Sequence, residues 1–234
     1  MRVHSRNSLT QMDRGTKRSR HNYPIILRTA ASAVVAFGVV ALVVGCARNP
    51  GPTPARSVST RAADADGSEP EPLTREAIKE LPDDLLERGA ATWVEFKLHN
   101  LPGTEEEAVL KLPRSYRMVY TTINVESEIE DGGWNQYFWN TRMMLNREAI
   151  SDFEMIGADD YADLMHRAVA VGEKEEPDRK RLRRVGTPEA FVKSYDHSHL
   201  ERFDDEFIGL KKRIPLSHIR TDYIREHPDE FVTE

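Results

Sequence analysis

The sequence predicts an all-α fold: a single compact bundle of roughly eight helices over residues 73–234, preceded by a signal peptide and a flexible linker. Apolar residues recur three and four positions apart from Leu73 onward, and no long stretch alternates polar and apolar residues with the period of a strand. The 234 residues, of which 39% are hydrophobic and 31% charged, suit one soluble globular domain with appendages.

The first 45 residues have the composition of a secretory signal. They contain seven basic residues and one acidic residue, Asp13, and an uncharged run rich in Ala and Val extends from Thr29 to Val44. This run is shorter than the roughly 20 apolar residues of a membrane-spanning helix. Cys46 follows the small residue Gly45, and this arrangement resembles the lipobox of bacterial lipoproteins. We therefore expect cleavage before Cys46, lipidation of Cys46 with fatty acids such as palmitate, and anchoring to a membrane of the cell envelope. The alternative is an uncleaved N-terminal anchor.

Residues 46–72 are rich in Pro, Ser, Ala and Gly and contain Val58 as their one large apolar residue. Such a segment cannot bury enough surface to fold, so we expect a disordered tether. Residues 1–45 hold seven of the 33 basic residues and one of the 39 acidic residues, which leaves 26 basic and 38 acidic residues and a net charge of −12 for the mature chain. This charge argues against direct nucleic-acid binding and favours a basic protein partner.

Start and stop signals divide residues 73–234 into helices, because polar caps and prolines mark helix starts whereas glycines mark helix ends. Gly172 is predicted to end one of these helices. The charged residues 173–186 after it predict a solvated loop with a basic tip, or alternatively an anion site. The predicted starts are Thr74, Pro82, Thr104 with Glu107 in the capping-box position, Asn146, Asp159, Thr187-Pro188 and Pro215, and Phe231 is predicted to plug the core.

The most information-dense stretch of the chain is residues 128–140, with the sequence EIEDGGWNQYFWN. The helix predicted from Ser115 to Glu130 is apolar on two adjoining stripes and therefore belongs in the middle of the bundle. Gly132 and Gly133 supply positive φ and predict a structural turn, an elbow that leads into a new short helix in a different direction.

Five residues at this elbow are candidates for binding. At helical spacing, Gln136 and Asn140 share one face of the new helix and Tyr137 lies beside them, whereas Trp134 belongs to an apolar face. Buried or half-buried carboxamides need hydrogen-bond partners. The two carboxamides therefore either satisfy neighbouring groups and fix the elbow, or line a pocket with Glu128 that holds a ligand or a partner.

The run Glu-(x)3-Gly-Gly-aromatic-x-Gln-aromatic-aromatic-x-Asn, from Glu128 to Asn140, resembles the signature of the DNA-mimic-protein-like domain family of bacteria. The resemblance implies an all-helical domain with an acidic surface. It further implies a protein that presents carboxylates to a basic DNA-binding protein as DNA presents its phosphates. The family implies no catalytic residues. Later segments are similar too, at residues 156–158, 200–207 and 227–232, so the resemblance extends over roughly residues 76–232.

No motif in the sequence predicts a catalytic residue, a metal site or a cofactor. The chain lacks a Gly-x-Ser-x-Gly elbow, a Walker loop and a dinucleotide fingerprint. His197 and His199 would point to different sides of a helix, so they are a weak zinc signal. We expect a non-enzymatic lipoprotein whose acidic helical domain binds a protein. The alternatives are a DNA mimic that inhibits a basic DNA-binding protein, and a small-ligand-binding or hydrolytic domain that uses the face of Gln136 and Asn140.

Overall fold

The computed structural model describes residues 70–232. The predicted signal peptide at residues 1–45, the predicted lipidation site Cys46, and residues 47–69 of the predicted tether lie outside the described residues. Within them the predicted all-α class is confirmed, since residues 70–232 form nine α-helices and two single-turn 3-10 helices and contain no strand.

The α-helices are α1 (Arg75–Glu80), α2 (Asp83–Asn100), α3 (Glu105–Val109), α4 (Arg114–Thr141), α5 (Asn146–Met155), α6 (Asp159–Val185), α7 (Pro188–Ser194), α8 (Glu201–Arg213) and α9 (Leu216–Glu226). The 3-10 helices are Tyr195–His197 and Pro228–Glu230. None of the helices within residues 70–232 has the length and apolar character needed to cross a membrane.

Several helix starts form as the sequence predicts. The Thr74 hydroxyl caps α1, Thr104 and Glu107 form a reciprocal capping box at α3, and the Thr187 hydroxyl caps α7. These side chains satisfy backbone N–H groups that have no partner within their helices.

Two predicted caps are wrong by one residue. Asn146 and Asp159 are the first residues of α5 and α6, and the capping positions belong to Leu145 and Ala158, neither of which makes a side-chain cap bond. The reason at α5 is that the chain enters it through a left-handed residue, because Leu145 has φ 60°.

The core is built around α4, which packs against α2, α5, α6, α8 and α9. Near its start, Tyr116 stacks on Trp93 with ring centroids 4.0 Å apart. The Tyr116 hydroxyl donates to the carbonyl of Phe231 at 2.6 Å, and the Phe231 ring is fully buried. The predicted terminal plug is therefore confirmed, and it closes the core with the last described residues.

The largest departure from the prediction is α6, which does not end at Gly172 but continues to Val185. Gly172 is buried against the ring of Phe138, and a Cβ at this position would lie 2.6 Å from a ring carbon. The glycine therefore permits close packing between α4 and α6, and its backbone freedom is not used. At about 1.5 Å per residue, the 27 residues of α6 extend about 40 Å.

The predicted solvated loop at residues 173–186 is also wrong, since these residues form the last turns of α6. Arg179 is only 2% exposed and pairs with Glu175 at 3.0 Å and with Glu176 at 3.3 Å. Pairs three and four residues apart stabilise a helix, and here they also neutralise a buried cation. The charged run therefore forms a helix, one face of which is buried against the rest of the domain.

Candidate functional site at the helical elbow

Gly132 and Gly133 interrupt the helical backbone of α4. The predicted positive φ is confirmed at Gly133, with φ 74° and ψ −178°, and is wrong at Gly132, whose φ of −163° and ψ of 22° are accessible to other residues. The Gly133 conformation is essentially restricted to glycine. The two glycines divide α4 into a first limb, residues 114–131, and a second limb, residues 134–141.

Two side chains from the C-terminal half of the chain hold this elbow. The Tyr195 hydroxyl donates to the carbonyl of Gly132 at 2.9 Å, and Asp204 Oδ1 accepts from the backbone N–H of Trp134 at 2.7 Å. Trp134 is the first residue of the second limb, so Asp204 caps its N-terminus. There the N–H groups lack helical partners, and the positive end of the helix dipole favours a carboxylate.

Asp204 is tightly confined by the elbow. A Cβ added to Gly133 would lie 2.6–2.7 Å from three atoms of the Asp204 carboxyl group. Burial raises the pKa of Asp204 to about 6; the bond from Trp134 opposes this rise, and the charges of Asp205 and Glu201 add to it. The elbow therefore contains a carboxyl group whose pKa is raised above its ordinary value.

Two of the five candidate binding residues, Trp134 and Tyr137, lie in the core, and each is 1% exposed. Their ring centroids are 5.8 Å apart, and the Trp134 indole N–H donates to the carbonyl of Phe203 at 3.2 Å. Burial raises the pKa of the Tyr137 hydroxyl, and the charges of Glu128 and Glu148 raise it further. Trp134 anchors the second limb to α8 and Tyr137 packs against Trp134, which leaves the other three candidates to face a ligand or partner.

The structure brings Glu128, Gln136 and Asn140 together across the elbow. Gln136 Nε2 lies 3.0 Å and Asn140 Nδ2 lies 2.7 Å from Glu128 Oε2. Glu128 and Gln136 are half-buried and Asn140 is exposed. The two carboxamides therefore orient the Glu128 carboxylate at the surface. Their N–H groups donate to Glu128 and not to a ligand.

The C-terminal end of the second limb is held by α6. Arg183 Nη1 donates to the carbonyls of Phe138 at 3.3 Å and Trp139 at 3.4 Å, and the Arg183 guanidinium also pairs with Glu176. Carbonyls in the last turn of a helix have no helical donors and favour a cation. The second limb is thus capped by a carboxylate at its start and by a guanidinium at its end.

An ionic cluster centred on the buried residues Glu126 and Arg220 joins α2, α4, α8 and α9. Glu126 pairs with Arg220 at 2.6 Å and with Lys211 at 2.9 Å; Arg220 also pairs with Glu87 at 2.5 Å, and Lys211 with Glu130. Burial alone would raise the pKa of Glu126, but Arg220 and Lys211 outweigh burial and lower it. Acidic and basic side chains from different helices therefore neutralise one another in this cluster.

No three His, Cys, Asp or Glu side chains within residues 70–232 come together as metal ligands. His199 Nδ1 lies 3.0 Å from a carboxylate oxygen of Glu175 at the surface. An open groove of about 480 Å³ between α6 and α8 is lined by Arg167, Phe203 and Glu206, among others, and by none of the candidate binding residues.

The groups that hold the elbow were not predicted as functional residues. Tyr195 follows a short helix, Asp204 is one of three consecutive acidic residues, and Arg183 belongs to a run of basic residues. Local sequence does not distinguish these side chains from their neighbours. Their roles depend on contacts 44 to 70 residues apart in the chain.

Comparison with family models identifies a relationship for half of the chain. A family model described as DMP19-like protein matches residues 110–227, half of the chain, from the residue after α3 to the residue after α9. Neither a curated protein nor a solved structure matches the chain significantly. The matched range contains both limbs of α4 and the residues that hold the elbow.

Proposed function

The chain belongs to the DMP19-like protein family, and we propose that its helical domain is a non-enzymatic module that binds a basic protein through the elbow. The observation that carries the proposal is the acidic elbow cluster, in which Asp131 directly precedes the glycine pair and the charges of Glu201 and Asp205 act on Asp204. Among the described residues, Asp131, Glu201 and Asp205 are exposed and form no ion pair. Uncompensated carboxylates create a negative potential that attracts a basic partner and repels nucleic acid.

Glu128 strengthens this proposal because it adds a carboxylate of fixed orientation to the first limb of α4, which also contains Asp131. The hydrogen bonds from Gln136 and Asn140 hold its position before any partner arrives. A fixed carboxylate loses less side-chain freedom on binding than a mobile one. In this proposal the two carboxamides orient Glu128 and do not bind a ligand themselves.

The proposal places the domain at a membrane of the cell envelope, attached through lipid on Cys46 and the tether of residues 46–72. Its support is the basic and apolar N-terminal sequence that ends in Gly45-Cys46. Substitution Cys46→Ala is expected to release the protein from the membrane fraction. Unchanged membrane retention of this variant would refute lipidation.

A DNA mimic that inhibits a basic DNA-binding protein is the second candidate function. The family match and the acidic elbow cluster favour it. It differs in location, since such an inhibitor has to meet its target in the cytosol. Fractionation of cells that express the full chain separates the two proposals, because a soluble cytosolic product would contradict the anchored module and support the mimic.

The third candidate, a small-ligand-binding or hydrolytic domain on the Gln136 and Asn140 face, has weaker support. Both carboxamides donate to Glu128, so a ligand would have to displace hydrogen bonds of 3.0 Å and 2.7 Å. Replacing a hydrogen bond to a charged group costs roughly 1.5–3 kcal/mol unless the ligand restores it.

The binding proposal is tested by charge removal with a matched control. The elbow variant Glu201→Gln/Asp205→Asn and the control variant Asp159→Asn/Asp160→Asn each remove two exposed carboxylates from the first turns of a helix. Affinity capture with each full chain, followed by quantitative mass spectrometry, is expected to lose a basic partner with the elbow variant alone. Equal capture by both variants would contradict an elbow-directed interaction.

A further inference from the structure

The C-terminal end of the second limb opens onto a surface that is both basic and apolar. Arg142 and Met144 follow the limb, Lys180, Arg184 and Val185 lie at the end of α6, and Val192 lies on α7; we call these six residues the basic end. Val185 is 60% exposed, Val192 46% and Met144 36%, and these are three of the five large apolar residues exposed in the described part of the chain.

Contacts between their neighbours bring these residues into one region. The Trp139 ring centroid lies 5.2 Å from that of Phe191 and 5.7 Å from the guanidinium of Arg183. Arg179 Nη2 lies 3.9 Å from Met143 Sδ. The end of α4, the turn after it, the end of α6 and α7 therefore form a continuous surface in which Trp139 and Phe191 are partly exposed.

The charge of this surface is opposite to that of the chain, whose net charge is −6. Arg142, Lys180 and Arg184 are exposed and form no ion pair with any residue that the structure describes. On α7 and the last two turns of α6, the exposed carboxylates are Glu189 and Asp178, and Asp178 already pairs with a neighbouring arginine at 3.1 Å. An anionic surface is therefore the complementary partner.

We propose that the basic end docks on the anionic phospholipid headgroups of the membrane to which the chain is anchored. This inference rests on the proposed lipid anchor at Cys46. Lysine and arginine near an anionic bilayer contribute about 1 kcal/mol each, and exposed aliphatic side chains and tryptophan suit the headgroup boundary. The second limb has eight residues and is about 12 Å long. Asp204 of the acidic elbow cluster caps the opposite, N-terminal end of this limb.

The tether does not select the docked face by itself. A chain of 26 residues, the length of residues 47–72, spans at most about 90 Å. Since α6 extends about 40 Å, a tether of this length lets any face of the domain reach the bilayer. Orientation is then set by charge, because the acidic faces are repelled from anionic lipid and the basic end is attracted.

The test uses the mature full chain with Val185→Cys, labelled at that thiol with an environment-sensitive fluorophore and inserted into vesicles through its lipid. Vesicles contain phosphatidylcholine alone or phosphatidylcholine mixed with phosphatidylglycerol. The emission is expected to shift to the blue and to resist iodide quenching only in the mixed vesicles, and high salt is expected to reverse both effects. Equal emission in the two kinds of vesicle would overturn the proposal.

Matched charge reversals assign the effect to the basic end. Lys180→Glu/Arg184→Glu is expected to lower the ratio of docked to undocked protein at least about 30-fold, which corresponds to about 1 kcal/mol for each cation lost. The control variant Lys212→Glu/Arg213→Glu reverses the same number of charges at two exposed positions. These positions lie near the opposite end of α6, because the neighbouring Ile214 carbonyl accepts a hydrogen bond from Tyr161. The control is expected to leave the ratio of docked to undocked protein unchanged. Equal effects of the two variants would refute site-specific docking.

The lipid anchor at Cys46 and the docking of the basic end would be refuted by different results. The parent chain, whose one cysteine is Cys46, is expected to take up no thiol probe because lipid blocks that sulfur. Probe uptake would refute the anchor, and flotation of the labelled Val185→Cys/Cys46→Ser chain with mixed vesicles would then decide docking alone. A change in the fluorophore's emission on adding duplex DNA, without a change on adding mixed vesicles, would overturn the proposal and identify a nucleic acid as the partner of the basic end.

Discussion

Substitution Gly133→Ala tests the elbow most directly, because alanine changes both the backbone and the contact with Asp204. The backbone conformation of φ 74° and ψ −178° is strained for any residue with a Cβ, at a cost of roughly 1–3 kcal/mol. The new Cβ would also lie 2.6–2.7 Å from the Asp204 carboxyl group and force it away from the N–H of Trp134. Losing a hydrogen bond to a charged group costs roughly 1.5–3 kcal/mol. We therefore expect the free energy of unfolding to fall by about 4 kcal/mol.

Urea unfolding of the full chain measures this change, with Gly157→Ala as the matched control. Gly157 has φ 71°, but a Cβ there meets nothing within 4 Å, so the control contains backbone strain without a clash. In an Asp204→Ala background, the Gly133→Ala penalty is expected to shrink to its backbone part of roughly 1–3 kcal/mol. A Gly133→Ala loss below about 1 kcal/mol, or a loss that Asp204→Ala leaves unchanged, would refute the reasoning.

Three further predictions concern the supports of the elbow. Gly172→Ala is expected to destabilise the fold by about 1–3 kcal/mol in urea unfolding, because its Cβ would clash with Phe138, although alanine ordinarily favours a helix; a gain in stability would contradict the close packing. Since Asp204 has a pKa of about 6 when folded and 3.8 as its ordinary value, its contribution to stability should fall as pH rises from 4 to 6, on the order of 2 kcal/mol. Asp204→Asn should remove that slope from pH-dependent unfolding curves, and identical slopes would exclude Asp204 as its source. Arg220→Ala should cost roughly 3–5 kcal/mol by thermal or urea unfolding because it leaves Glu126 buried with one fewer cation; a loss under 1 kcal/mol would indicate that Lys211 alone suffices.

The sequence predicts the helical class and many helix boundaries because these depend on neighbours a few residues apart. Thr74 and the Thr104–Glu107 pair are examples, since a cap and its N–H groups lie within one turn. The error at Gly172 has a different origin. A glycine that ends a helix and a glycine that lets an aromatic ring pack closely against a helix have the same local sequence signal. The position of the Phe138 ring shows that Gly172 is of the second kind.

The elbow is predictable in part for the same reason. The need for glycine at residue 133 follows from a local backbone turn, and the proximity of Gln136, Asn140 and Glu128 follows from spacing across that turn. The burial of Trp134 and its cap by Asp204 depend on how α8 packs against α4. No periodicity in the sequence contains that information.

The long sequence separation of the contacts at the elbow also sets an order of folding. Tyr195 and Asp204 meet the backbone of Gly132 and Trp134 across 63 and 70 residues of chain. During synthesis the first half of the chain therefore lacks both supports until α8 has emerged. Long loops close late because chain entropy opposes them. This arrangement delays closure of the elbow until nearly the whole domain has been synthesised.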